Sequence, residues 1–109
     1  MGSSQERLLL DALGLQGMAS GHRCLNLSER VSWEEFPAYA HELLTFLQGS
    51  TVSVADGPDM RLWQMLVEGT ALRLVYDDYP QMVSLESDSD ASDRLLQRLM
   101  TRLSGTTQP

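Results

Sequence analysis

Apolar residues change period three times along this chain, and each change marks an element. In "VSWEEFPAYAHELLTFLQGS" the residues Phe36, Tyr39, Ala40, Leu43, Leu44 and Leu47 recur at helical spacing and make one apolar face. Ser32 and Glu35 stand in S-x-x-E order, so each side chain can hold the other residue's orphan backbone N–H. Val31 and Phe36 occupy the two positions of a hydrophobic staple across that box. The pattern predicts a helix over 33–48 with Gly49 as its stop. Pro37 lies just beyond the positions whose N–H is free in any case, so the first turn is expected to be distorted.

From 51 to 87 the period falls to two. "TVSVA" places Val52 and Val54 on one side, and "RLWQMLVE" sets Trp63, Met65 and Val67 against Leu62 and Leu66. "ALRLVYD" alternates Leu72, Leu74 and Tyr76 with Arg73 and Val75, and "MVSLE" turns Val83 and Leu85 inward. "DGPD", "EGT" and "DDYPQ" are turn chemistry between these runs. Connections this short require antiparallel neighbours, because a parallel pair needs a crossover of about a dozen residues. The segment reads as a meander.

The helical period returns in "SDSDASDRLLQRLMTRLSG", where Leu95, Leu96, Leu99, Met100 and Leu103 form a stripe. The run is predicted as a helix over 90–104 that Gly105 ends, with Ser89 or Asp90 as cap. Aspartates in front and Arg94, Arg98 and Arg102 behind follow the helix dipole, and Asp90 and Arg94 form an i,i+4 pair. A calcium loop beginning at Asp88 would want glycine at 93 and a bidentate glutamate at 99. The chain has Asp93 and Leu99 there. The acidic cluster therefore reads as the front of a helix, and no metal site is expected.

The first 30 residues are less regular. Residues 5–13 suit a short helix with Leu9, Leu10 and Leu13 inward, ended by Gly14. "HRCLNLSE" alternates as a strand, with Cys24 and Asn26 opposite Leu25 and Leu27, and residues 13–18 are an alternative reading as its hairpin partner.

The fold class is thus α+β: a four- or five-stranded antiparallel sheet with two amphipathic helices packed on one face. The chain of 109 residues forms one domain, its ends at 1–20 and 105–109 expected to be the least ordered. The expected core is Leu27, Phe36, Ala40, Leu43, Leu44, Leu47, Val54, Trp63, Met65, Leu72, Leu74, Leu85, Leu96, Leu99 and Leu103. Two helices cannot shield both faces of such a sheet. The second face, with Leu62, Leu66 and Val75, is expected to be partly polar or covered by a second copy, which makes a homodimer an expectation.

Charge narrows the function classes. The 15 acidic and 8 basic residues leave a net charge of −7, a field that disfavours phosphate backbones and anionic lipid. Neither nucleic acid nor a membrane is an expected partner, and no apolar run approaches the roughly 18 residues of a membrane span. The early leucine run lacks a basic flank and carries Glu6 and Asp11, so it makes a poor signal peptide. All eight basic residues are arginine, and isoleucine is absent; a GC-rich bacterial genome avoids the AT-rich codons of lysine and isoleucine. Cys24 is the one cysteine, which excludes an intrachain disulfide and points to a reducing, cytoplasmic setting.

Catalytic chemistry finds little support. Cys24 and His22 share a strand face, which keeps a Cys–His pair open, but a strand cysteine is more often a small core residue. His41 reads as a solvated helix residue. Asp77 and Asp78 are adjacent on an extended chain and point apart, so they do not converge as an acid–base pair. Phosphate-binding and nucleophile-elbow motifs are absent, and no cofactor is expected. Trp33, Asp77, Asp78 and Tyr79 are the candidates for a binding surface, and the expected function is a non-enzymatic interaction or adaptor domain for a protein partner. A secretion-type chaperone and a small enzyme using Cys24 are the alternatives.

The run "SWEEFPAYAHELLTFL … DGPDMRLWQMLVEGTALRLVYDDYPQMVSLES" resembles a small uncharacterised proteobacterial family, domain-of-unknown-function family 3630. The resemblance lies in Asp59 before Trp63, the Glu68-Gly69 reversal, the turn at Tyr79 and a strand ending in Glu86, over roughly residues 25–100. It implies a fold type and no activity. "SSQERLLLDALGL" also resembles the opening helix of the small acidic type III secretion chaperones, although a long helix follows the first strand here where those chaperones run three strands.

Overall fold

The computed structural model describes residues 8–78 and 81–106. Eight elements follow in the order β1 (Gly14–Gly17), β2 (Arg23–Ser28), α1 (Phe36–Leu47), β3 (Ser50–Asp56), β4 (Met60–Val67), β5 (Thr70–Asp78), β6 (Gln81–Glu86) and α2 (Asp90–Thr106). The strands form one six-stranded antiparallel sheet in the order β1-β2-β6-β5-β4-β3. The α+β class stands, with six strands instead of four or five. The additional strand is β1, whose sequence "GLQG" carries no apolar alternation. It exists because Gly14–Gly17 can pair along β2 from Asn26 to Arg23. The alternative reading of 13–18 as the hairpin partner of β2 holds; of the helix expected over 5–13, residues 8–13 are coil and turn, and residues 5–7 lie outside the described residues.

The meander β3–β6 is as its short connections require. β4 and β5 are joined by Glu68 and Gly69, both at positive φ (54° and 75°), between the paired Val67 and Thr70. That is the two-residue turn whose twist matches a hairpin. α1 carries the chain from β2, on one side of the sheet, to β3 on the opposite edge.

The Ser32–Glu35 box is formed in both directions, at 3.0 and 3.2 Å, and lowers the Glu35 carboxyl by hydrogen bonding to its ionised form. The α-helix itself starts three residues after the predicted position. Residues 33–35 are a turn, which leaves Pro37 in the first helical turn, where it breaks no bond. Val31 and Phe36 are both buried. At the other end Gln48, not Gly49, takes the left-handed conformation (φ 58°). Gly49 serves by its lack of a side chain: a Cβ there would stand 2.6 Å from the Leu66 carbonyl oxygen.

α2 begins one residue after Ser89, whose hydroxyl accepts the Ser92 N–H at 3.1 Å. The helix continues through Gly105 to Thr106, so Gly105 does not end it.

Both helices cover the face that carries Leu25, Trp63, Met65, Val67, Leu72, Leu74, Tyr76, Val83 and Leu85, and these side chains join Phe36, Leu43, Leu96 and Leu99 in one core. Every expected core residue is buried there except Val54, which is 51 % exposed. Val54 pairs with Trp63 and does face the helix side, but β3 lies at the margin of the sheet, beyond the cover of the helices. The expected alternation of β3 also fails, because the register slips between Thr51 and Ser53 and makes a bulge at Val52.

Candidate functional site

The open face of the sheet carries the more suggestive surface. Antiparallel register lines up Ser53, Gln64, Arg73, Glu86, Cys24 and Gln16 across all six strands. A parallel row holds Ala55, Leu62, Val75, Ser84 and Asn26. The face is partly polar, as expected of a sheet covered on one side. Its centre is not bare: Val75 and Ser84 are buried, and Ser84 donates to the Asn26 side-chain oxygen at 3.0 Å.

A hollow of about 260 Å³ opens between Val52, Gln64, Leu66 and Ala71 on one side and Arg73 and Glu86 on the other. Arg73 reaches Glu86 at 3.5 Å and Asp88 at 4.0 Å. The hollow thus has an apolar floor that includes the 40 % exposed Leu66, and one charged wall whose arginine already faces two carboxylates. Such a site suits an apolar side chain with a polar or basic neighbour. It offers no nucleophile.

A second constellation joins the two ends of the described chain. Asp93 Oδ2 lies 2.9 Å from His22 Nδ1, and Asp93 Oδ1 accepts the backbone N–H of Arg23 at 2.9 Å and the hydroxyl of Ser87. These bonds hold the Asp93 carboxyl below the usual carboxylate range and raise His22 above its ordinary value. Ser, His and Asp are all present in the wrong order: the hydroxyl meets the carboxylate, and Asp93 stands between Ser87 and the imidazole. A nucleophile needs the base beside it. Among the described residues His22, Asp90 and Asp93 also bring one ligand atom each within 4.8 Å of the others. The Asp93 oxygens are committed to N–H and O–H donors, and the positive end of α2 lies beneath them. The arrangement ties α2 to the start of β2.

Cys24 and His22 are parted. Cys24 is on the open face, where its thiol donates to Asn26 Oδ1 at 3.4 Å and burial pushes it up; His22 precedes β2 and turns toward α2. His41 is exposed on α1 with its ring against Trp63, the centroids 5.4 Å apart.

The three described binding-surface candidates, Trp33, Asp77 and Asp78, do not gather. Trp33 is half-buried on the helix side, edge-on to Tyr76, with the Arg61 guanidinium 4.9 Å above its ring. Asp77 stands on the open face in register with Met60 and Met82, and loss of solvent together with nearby Asp59 raises its carboxyl. Asp78 ends β5 opposite Gln81. Tyr79 lies outside the described residues. The adjacent aspartates point apart, as an extended chain requires.

The family profile described as "Protein of unknown function (DUF3630)" matches residues 13–104. The chain belongs to that family. The match takes in every element from β1 to most of α2, so the six-stranded sheet with two helices on one face is what DUF3630 names here. No curated protein and no solved structure matches the chain. The chaperone likeness therefore has no support in these comparisons, and residues 8–13, read as part of an opening helix, are not helical. Among the described residues of this DUF3630 chain, no helix is long and apolar enough to cross a membrane.

Alternation alone places Leu66 and Arg73 on the second face. The hollow they share with Glu86 does not follow from alternation, because it depends on the β4–β5–β6 register. The signal was present in the Glu68-Gly69 turn, which sets Gln64 opposite Arg73.

Proposed function

We propose that this DUF3630 protein is a non-enzymatic interaction domain that binds another protein through the open face of its sheet. The observation that supports it is the hollow beside Leu66: an exposed apolar floor flanked by Arg73 and Glu86. Exposed apolar surface rimmed by polar groups is how binding sites differ from ordinary surface. The net charge of −7 speeds approach of a basic partner. A lone free cysteine accords with a reducing cytoplasm.

The test is affinity capture from the source cell, compared by quantitative mass spectrometry between the unaltered chain, Leu66→Glu in the hollow and Thr101→Ala on the exposed side of α2. The expected result is a defined set of proteins retained by the unaltered chain and by Thr101→Ala, and lost from Leu66→Glu. The same capture by all three would overturn the reading.

A further inference from the structure

β3 ends the sheet on one side and, among the described residues, pairs with β4 alone. All seven of its residues are exposed, with Val52 at 59 % and Val54 at 51 %. Natural proteins guard an edge of this length with lysine, proline or a covering segment, or keep it very short. β1, on the opposite edge, is short at four residues. β3 is "STVSVAD", with no lysine and no proline, and its one charge, Asp56, is bound by Arg61 at 3.0 and 3.1 Å. The bulge at Val52 guards the first half of the strand. Ser53–Asp56 has no such guard.

The ladder shows which backbone groups are offered. Gly57 N–H bonds to the Met60 carbonyl at 2.7 Å. By the alternation of an antiparallel pair, Ala55 and Ser53 then direct their backbone groups at β4, and Val54 and Asp56 direct theirs outward.

We propose that β3 pairs with β3 of a second copy of this chain, antiparallel about a twofold axis at Val54, and joins two sheets into one. Local charge selects this occupant. With Asp56 held by Arg61, a charged strand finds no free counter-charge along Ser50–Ala55, whereas a neutral strand with β-branched residues does not need one. β3 is such a strand, and each copy brings one. The twofold sets Val54 against Val54 of the second copy, exchanging two N–H···O bonds at a Cα separation of about 5.5 Å. Ser53 then opposes Ala55 of the second copy on the open face, where both side chains are small. Asp56 does not meet Asp56: four residue steps separate them, about 14 Å at ~3.4 Å per step, beyond the ~8 Å over which charges are felt at physiological salt. One strand pair buries less than the roughly 800 Å² per partner of a standard interface, so the dimer is weak and depends on concentration.

The proposal shares only Val52 with the hollow and does not depend on the partner reading. Sedimentation equilibrium of the full chain, from micromolar to millimolar at physiological salt, tests it with two variants. Val54→Pro removes the outward N–H and leaves the β3–β4 ladder intact, since the Val54 N–H takes no part in it; Val54→Lys places a charge at the axis. The unaltered chain is expected to pass from monomer to dimer mass across that range, and both variants to remain monomeric with native near-ultraviolet dichroism. If Val54→Pro fails to fold, Val54→Lys decides. A monomer at every concentration overturns the proposal. So does a dimer that survives Val54→Lys, which would place the contact elsewhere.

Discussion

Ser89 and Ser92 hold each other's backbone N–H groups at the start of α2, at 3.0 and 3.1 Å. This is a capping box with serine in the place usually taken by glutamate. Ser92 is fully buried, and its hydroxyl also accepts the Asp88 N–H at 3.2 Å. Ser89→Ala is expected to lower stability by about 1 kcal/mol, the usual worth of a cap. Ser92→Ala should cost at least as much, because it removes the acceptor of both the Asp88 and the Ser89 N–H and empties a fully buried side-chain site. Denaturant titration of the two variants measures both.

The same first turn decides the ion question. Since the Asp93 oxygens already accept from Arg23, Ser87 and His22, millimolar calcium or magnesium should leave the melting temperature within a degree of its value in chelator. Ion binding would add stability as RT ln(1 + [L]/Kd). A rise of several degrees, abolished by Asp90→Ala, would show that the cap doubles as a metal site.

His22 and Asp93 give stability a pH window. His22 is raised above its ordinary 6.5 by its bond to Asp93, so its contribution is complete below 6.5 and is lost as pH climbs through the folded value. Asp93 is lowered below its ordinary 3.8, so its contribution is complete above 3.8 and is lost as pH falls through the folded value. The pair therefore stabilises most between about 4 and 6.5. His22→Gln should flatten the alkaline side of the melting temperature–pH curve and leave the unaltered chain's advantage largest inside that window. An unchanged curve would mean that the contact is not held in solution.

These relationships separate what could be read along the chain from what could not. The Ser32–Glu35 box, the Val31–Phe36 staple and the stripe from Leu95 to Leu103 are contacts within one or two turns, so spacing alone exposes them. Val54 shows the limit. Its alternation places it on the correct face, but its exposure depends on β3 being the last strand, which is set by α1 crossing the whole sheet. His22 and Asp93 are 71 residues apart, and Arg73 meets Glu86 only through the β5–β6 register. β1 is legible only as the alternative hairpin partner over 13–18, because a glycine-bounded edge strand takes its conformation from β2 more than from its own side chains.

Glu68 is a conflict between backbone and charge. It occupies a left-handed position (φ 54°) that asparagine or glycine takes more easily, and it is bonded to Arg98 at 3.1 Å and Arg102 at 3.5 Å. The left-handed conformation costs an ordinary residue about 1–2 kcal/mol, and exposed ion pairs return about 0.2–1 kcal/mol each. Glu68→Asn should therefore be neutral to slightly stabilising at low salt and more clearly stabilising at high salt, where the pairs are screened. Melts at two ionic strengths check the sign. A loss above 1 kcal/mol would assign Glu68 a larger part in holding α2.

Gly49 offers the sharpest packing test. A Cβ at this position would lie 2.6 Å from the Leu66 carbonyl oxygen, 2.9 Å from Val67 Cγ2 and 3.1 Å from Leu44 Cδ2. The nearest of these atoms is backbone in β4, and it belongs to the residue at the floor of the hollow. Relief requires α1 and β4 to move apart, and overpacking of this kind costs about 1–3 kcal/mol. Gly49→Ala should therefore lower stability by that amount, although alanine ordinarily gains over glycine outside a left-handed position. Gln48→Gly, one residue earlier, should act in the opposite direction, because it relieves a left-handed side chain and meets no such obstacle. If Gly49→Ala proves neutral and Gln48→Gly destabilising, the turn between α1 and β3 is built the other way round, with glycine chosen for its backbone and not for the space above it.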